Sequence, residues 1–585
     1  MSVGRRRVIG RSRVHRVRRQ RGAAAIVVAL FLTLAVAVLG ALDVGNAFFA
    51  RRSLQRIADL ASLAAAQTMD TDCTAPPVTA RANAAANGFS ATAAGQSLTV
   101  VCGRWDTGSN AAPSYFASAG AGGAPLNAVQ VRAQRTVPYF FLGPSRQVAA
   151  TATAQATNLG AFTIGTSLAQ LQGGLINSLL NGLLGANLDL SLASYQSLAG
   201  ARIKIGDLMA ALGVESVDAL LATQVDAAQL ANLMLTALSR TSVADANLQT
   251  DLATLQTVAA SSMSTSVKFP LGATDATPGL LSLGLANTQS AASATISPFD
   301  ALMVAAEIAK AGQAPTDIAA GIALGTLQST LKVQVLQPPV LALGEAGMNP
   351  VTQTWRTQAR SAQVRLYLNI GLGSVTLPAI GTVGVNLPLS LEVAPGQAWL
   401  ETTHCATSAA ASNSTIGATP GLANICVGDA PANLSASQPF SCTSPATLIQ
   451  VSSLISVKAK AALPAVVPAQ DSATLTFDGI AGNDDDYQSA DSNAVGSVLA
   501  NALSGLSATL AQPGALSITL LGGALGLPLS PIATALVAFL GPTLTLVTDD
   551  LDAALGPLLQ LLGVQLGVAT IHDLSLSCGV SKLVY

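Results

Sequence analysis

Charge is scarce in this 585-residue chain: Asp, Glu, Lys and Arg make up 10% of it and apolar residues 50%, where ordinary soluble domains carry roughly a quarter charged. Aromatic residues are thin at 4%, and there are three histidines. His15 belongs to a basic N-terminal stretch, which leaves His404 and His572 as the ring bases of the body. No Cys-x-x-C spacing occurs, which removes support for thioredoxin-like redox chemistry and for a zinc ribbon. Neither a G-x-S-x-G elbow nor a G-x-x-x-x-G-K-[ST] phosphate loop is found. No catalytic residue, cofactor or metal site is therefore assigned, and the chain reads as a binding protein rather than an enzyme.

Three partial patterns stand against this. His404 adjoins Cys405, but neighbours on a strand face opposite sides, so no Cys-His nucleophilic pair is implied. Asn483 to Asp486, with Asp478 and Asp491 nearby, gathers carboxylates as calcium requires, yet lacks EF-hand spacing and reads as a solvated acidic turn. Asp573, Ser575 and Ser577 have the D-x-S-x-S spacing of a von Willebrand-type metal site. That motif opens its domain, whereas here it nearly ends the chain, so alternating polar residues on an edge strand are the better reading.

What charge there is lies unevenly. Nine of the 29 basic residues are arginines at or before Arg21, and the first acidic residue is Asp43. Beyond Arg21 the balance is 20 basic to 30 acidic residues, a net of −10, which argues against nucleic-acid binding by the body. From Gly22 to Leu42 there are 21 residues without charge, which as a helix span about 30 Å, the thickness of a bilayer's hydrocarbon. The run exceeds the usual h-region of a signal peptide, although Gly45–Ala47 offers small residues at which cleavage is conceivable. An uncleaved bacterial inner-membrane anchor is expected, its arginine cluster cytoplasmic and the bulk of the chain periplasmic or extracytoplasmic. Beyond it, Leu54, Ile57, Ala61 and Ala64 keep a three-and-four spacing, which continues the helix as an amphipathic rod. That rod packs either on its own domain or on partner helices.

The order Arg21-Gly22, apolar helix, Asp43, Arg52, Leu54-Gln55-x-x-Ala58-Asp59, Leu63-Ala64-Ala65-Ala66 resembles the TadE/TadG-like proteins of Flp (Tad, tight adherence) pilus assembly. A second stretch, Ala128 to Ala156, is similar to the strand, Val-Pro-x-Phe-Phe turn and Ala-Thr-Ala strand of TadG-type proteins. Together they cover little more than a tenth of the chain. Prepilin-like members carry Glu five residues after the glycine, where this chain has Val27. The resemblance thus implies a membrane-bound accessory beside the pilus machine rather than a filament subunit. Its expected partners are the inner membrane and other pilus-assembly or secretion proteins.

The expected fold class is α+β, with a single N-terminal transmembrane helix extended by an amphipathic helix and then a large mixed region. The units read as a basic arm (1–21), transmembrane helix (22–42), helical extension (43–69), small β-rich TadG-like unit (70–160), helical unit (161–330) and strand-rich unit with a disulfide-pinned loop (331–480). A Leu/Ala-rich helical hairpin with a closing strand (481–585) ends the chain. In the helical unit Ser216 and Asp226 stand where successive helices need caps. No charge appears from Ser492 to Thr548, and Pro528 and Pro531 break that stretch, which favours a buried hairpin over a spanning pair. An alternative role arises here: these helices and the 331–402 strands would enclose lipid or another apolar ligand.

Six cysteines, an even number on the export side, point to disulfides. Cys73 with Cys102 forms a local staple, leaving Cys405, Cys426, Cys442 and Cys578 with three connectivities.

Overall fold

Residues 21–67 contain no proline and are rich in Ala and Leu, the residues that lose least on entering a helix. In the computed structural model they form one uninterrupted helix, α1 (Arg21–Gln67), of 47 residues and about 70 Å. The structure describes residues 21–318 apart from 71, 142, 165–172, 241–246, 265, 275 and 286. It then describes 328–491 apart from 350–351, 378–380, 407, 422, 452–454, 460–461 and 468–471. Beyond these it describes 512, 516–520, 523–524, scattered positions from 531 to 543, 562 and 568–584 except 580. The basic arm before Arg21, the charge-free residues 492–511 and most of the expected C-terminal hairpin lie outside the described residues.

The two halves of α1 differ. Ile26, Val28, Leu30, Phe31, Leu34 and Val38 are all more than half exposed, and this part is the one described helix long and apolar enough to cross a membrane. From Leu54 the helix lies on protein: Leu54, Ile57, Ala58, Ala61, Ala65 and Ala66 are buried. The run of alanines lets its backbone approach the antiparallel sheet below, formed by β1 (Gln96–Trp105), β2 (Phe116–Ser118), β3 (Ala128–Val137) and β4 (Arg146–Gln155). Along β3, Val129, Val131 and Ala133 face this helix-covered core while Gln130, Arg132 and Gln134 do not, the period of two that a half-buried strand requires. A short helix, α2 (Ala75–Ala86), follows α1 and begins on Pro76 and Pro77, residues tolerated in a first turn. The last strand, Lys582–Val584, closes the sheet against β4, so the C-terminus returns to the N-terminal unit.

After β4 the chain enters a second sheet through β5 (Leu159–Ile164), every residue of which is buried. The order is Tyr487–Asp491, Val568–Ser577, β5, Leu341–Gly344 and Leu281–Gly284. A four-stranded sheet of Gln358–Arg360, Gln397–His404, Asn413–Thr419 and Ala473–Asp478 packs on it through Phe162, Leu400, Ile416, Phe477 and Ile571. At Gly160 a Cβ would lie 2.8 Å from the Leu400 side chain, so any larger residue there would have to displace Leu400 from between the two sheets.

The helices α3 (Gly173–Leu184), α4 (Leu192–Gly200), α5 (Ile205–Leu212), α6 (Val217–Ala222), α7 (Ala227–Leu238), α8 (Leu248–Ala260) and α9 (Pro298–Lys310) form the largest core. Ser216 caps α6, and Asp226 caps α7 in a reciprocal box with Gln229. Pro298 to Ala309 are all buried, so α9 is the central helix. This bundle shares its core with a six-stranded antiparallel sheet in the order Thr316–Ile318, Gln328–Gln337, Gln363–Leu377, Gly381–Val393, Ala423–Val427 and Leu463–Val467.

Three expectations are corrected. Residues 516–520, read within a helical hairpin, form a strand, because Ile455–Ala459 offers its backbone groups as an antiparallel partner. The Val568–Ser577 strand is not at an edge: it pairs with Tyr487–Asp491 on one side and β5 on the other, and Asp573 and Ser575 are buried. The acidic turn is not wholly solvated, since Asp486 turns inward to an arginine.

The six cysteines pair as Cys73–Cys102, Cys405–Cys578 and Cys426–Cys442. The first pins the segment after α1 to β1. The second fastens the end of the Val568–Ser577 strand to the four-stranded sheet across 173 residues, and the third, like the first, is local in sequence.

Candidate functional site

Asp43 is the first charged residue after the apolar run, and it is fully buried. Its Oδ1 accepts the Phe140 N–H at 2.7 Å and its Oδ2 the Phe141 N–H at 2.8 Å. These donors lie in the turn between β3 and β4, so the two family-like stretches, 97 residues apart in sequence, meet at one carboxylate. A charged acceptor holding two amides is a strong arrangement, and it ties the turn to the helix where the apolar segment ends.

Of the other motif residues, Leu54, Gln55, Ala58 and Leu63 hold the helix on its sheet. Leu54 and Ala58 are buried in the core, and Leu63 packs against it. Gln55 donates to Asp59 Oδ1 at 2.8 Å and to the Thr151 carbonyl on β4 at 3.3 Å. Arg52 is exposed beside Arg51. Gly22 lies in the free part of the helix, with nothing close to it. Asp70 marks the far end: burial alone would raise it, but the Thr74 hydroxyl and the N–H groups of Ala75, Thr74 and Cys73 together hold it below the usual carboxylate range.

A cavity of about 290 Å³ opens beside this unit and the strand-rich body, lined by Asp70, Asp72, Asn127, Glu345, Glu401 and Thr403 among others. Beneath it the buried Arg104 pairs with Asp106 at 3.1 Å and with Glu345 at 2.5 Å. This ion pair joins β1 to the loop after Leu341–Gly344. Burial, followed by the neighbouring Arg104, lowers Arg356 from its ordinary value.

His572 sits in a second buried cluster. Its Nδ1 is 2.7 Å from Asp300 Oδ2, its ring stacks on Tyr487 at 4.0 Å, and its Nε2 faces Arg202 Nη2 at 3.4 Å. That network assigns the proton to Nδ1. Arg202 also pairs with Asp486 at 2.8 Å and donates to the carbonyls of Ala199, Ala201 and Leu574. Nε2 therefore meets a guanidinium where a general base would need a substrate proton. The cluster bonds α9 and the end of α4 to the Val568–Ser577 strand. His404 is exposed, while Cys405 beside it is buried in its disulfide.

In the 331–402 strands Leu366, Ile370, Leu387 and Leu391 are buried in the core shared with the helices. A cavity of about 350 Å³ against these strands is lined by polar groups such as Lys332, Asn369 and Asp429 together with apolar ones such as Leu368, Pro388, Leu389 and Leu434.

Sequence reasoning missed that so many of the rare charges are structural. Arg104 with Glu345, Arg202 with Asp486 and Arg365 with Glu392 are ion pairs with buried arginines. The only available signal was their isolation in a charge-poor chain.

An apolar helix, exposed along its first half, that runs without a break into a folded α+β body fits a single-pass membrane protein. Residues 22–68 match the Flp pilus-assembly TadE/G-like family and residues 64–154 the Tad-like Flp pilus-assembly family. The N-terminal region is thus similar to that of TadG-like Flp/Tad pilus proteins, and these two matches support a role in Tad pilus biogenesis. Residues 172–307, the helical part, match a domain family of unknown function (DUF8293). No curated protein and no solved structure matches the chain significantly.

Proposed function

We propose that this chain is a membrane-anchored accessory of Tad pilus biogenesis that works by binding other assembly or secretion proteins on the periplasmic side. The observation that carries the reading is the continuity of α1: the segment that suits a bilayer and the segment buried in the Tad-like core are one helix. Cleavage after Ala47 would remove Asp43 and strand the Phe140 and Phe141 amides, which favours retention of the anchor. The arginines before Gly22 give the orientation, N-terminus cytoplasmic.

The body contributes shape and rigidity rather than chemistry. Three disulfides suit an oxidising compartment, and the buried ion pairs tie its sheets and helices together. Crosslinking in the native cell, followed by mass spectrometry of the N-terminus and the captured proteins, tests the reading. An intact arginine-rich terminus with pilus-assembly proteins attached is the expected result. A terminus beginning after the apolar run, with no such proteins attached, would refute it.

A further inference from the structure

We infer that the β3–β4 turn is itself a membrane-binding element, inserted in the leaflet from which α1 emerges toward the body. The inference rests on the anchor reading and adds a second, separate contact with lipid.

Depth is set by Asp43. Counted from Gly22 it lies about 31 Å along the helix axis, which is the edge of a hydrocarbon layer about 30 Å thick. Because the Phe140 and Phe141 amides bond to this carboxylate, the turn is held at the same depth. A carboxylate at that level is costly unless its oxygens are satisfied, and the turn supplies two donors. The bond thus accounts for Asp43 and locates the turn together.

What the turn presents at that depth is apolar. Phe140 is 69% exposed and Phe141 53%, an unusual outlay of ring surface in a chain with 13 phenylalanines. Phe48 and Phe49 on α1, 70% and 78% exposed, lie about one to two turns further along. Four exposed apolar rings at the end of a transmembrane segment suit burial at the boundary between headgroups and acyl chains, where membrane-surface elements place Trp, Phe and Leu. Pro138 before the rings and Gly143 after them, the latter at φ +122°, shape a turn that keeps them pointing out. Arg51, Arg52 and Arg146 are exposed on the side of the body, where long stems reach phosphate headgroups. Apolar rings at the hydrocarbon edge with arginines above them fit a phospholipid surface; a protein partner is the competing occupant that the test must separate.

The test places a photo-crosslinking p-benzoylphenylalanine in the full-length protein in its native membrane, in separate variants Phe31→p-benzoylphenylalanine, Phe140→p-benzoylphenylalanine, Phe141→p-benzoylphenylalanine and Val78→p-benzoylphenylalanine. All four side chains are exposed, so the fold is not burdened. Thr79, next to Val78, bonds to Thr68, about 37 Å beyond Asp43 along α1, which makes Val78 the aqueous reference. Phospholipid adducts at Phe31, Phe140 and Phe141 but not at Val78 are expected. Lipid adducts at Phe31 with only protein adducts, or none, at Phe140 and Phe141 would overturn the inference and leave the anchor standing. Absence of lipid adducts at Phe31 would overturn both.

Discussion

Replacing Asp43 by alanine removes the acceptor of two backbone amides without disturbing the apolar core. Stranding a buried donor costs about 1–3 kcal/mol, so the two amides of Phe140 and Phe141 together set a range of about 2–6 kcal/mol. Water and headgroup oxygens can reach the turn once it loosens, which selects the lower end. About 2 kcal/mol corresponds to roughly 30-fold faster opening at 1.4 kcal/mol per decade. Amide hydrogen exchange on the full-length protein in lipid nanodiscs reads this directly. Protection at Phe140 and Phe141 should fall by about that factor, while Val129 to Ala133, in the core of the same sheet, stay unchanged. Asp43→Asn, which keeps one neutral acceptor, should fall between the two. Unchanged protection at both phenylalanines in Asp43→Ala would refute the reasoning, and so would an equal loss across the whole sheet, which would indicate unfolding rather than release of the turn.

Removing Cys405–Cys578 by paired Ser substitution should destabilise the chain more than removing Cys426–Cys442. The loops span 173 and 16 residues, and chain entropy gives about 5 against about 3 kcal/mol; urea midpoints that reverse this order would contradict it. Arg202→Ala leaves Asp486 and three carbonyls without their partner and should cost about 3–5 kcal/mol; a loss below about 1 kcal/mol in denaturant titration would rule out a structural role for the cluster. Glu307, buried in α9, has a carboxyl that burial pushes well above its ordinary value. The native state therefore holds its proton while the unfolded chain ionises, and stability falls as pH rises from the unfolded value toward the folded one. Glu307→Gln should gain on the wild type as pH is raised through that window, and a difference independent of pH would count against the buried acid.

Much of the N-terminal region was legible because local chemistry dictates it. An uncharged run of 21 residues is read by a bilayer whatever domain it is attached to. The spacing of Leu54, Ile57 and Ala61 marks a buried helix face whichever surface covers it, and Ser216 and Asp226 cap helices through bonds made within a few residues. Residues 516–520 were illegible for the opposite reason: Leu-rich, small-residue sequence suits helix or strand, and a partner strand about 60 residues away in sequence chose between them.

By itself the sequence determined where a helix long and apolar enough to cross a membrane lies, which residues form a buried helix face, and that all six cysteines stand beyond that helix. Tertiary structure alone decided that the helix packs on its own sheet, which cysteines pair, that Asp573 lies inside a sheet, and that Asp43 meets the Phe140–Phe141 turn. These are contacts between residues up to hundreds of positions apart. Periodicity and capping report only on neighbours along the chain, whereas a disulfide, a sheet order or a buried ion pair depends on which surfaces the whole chain brings together as it hides its apolar groups from water.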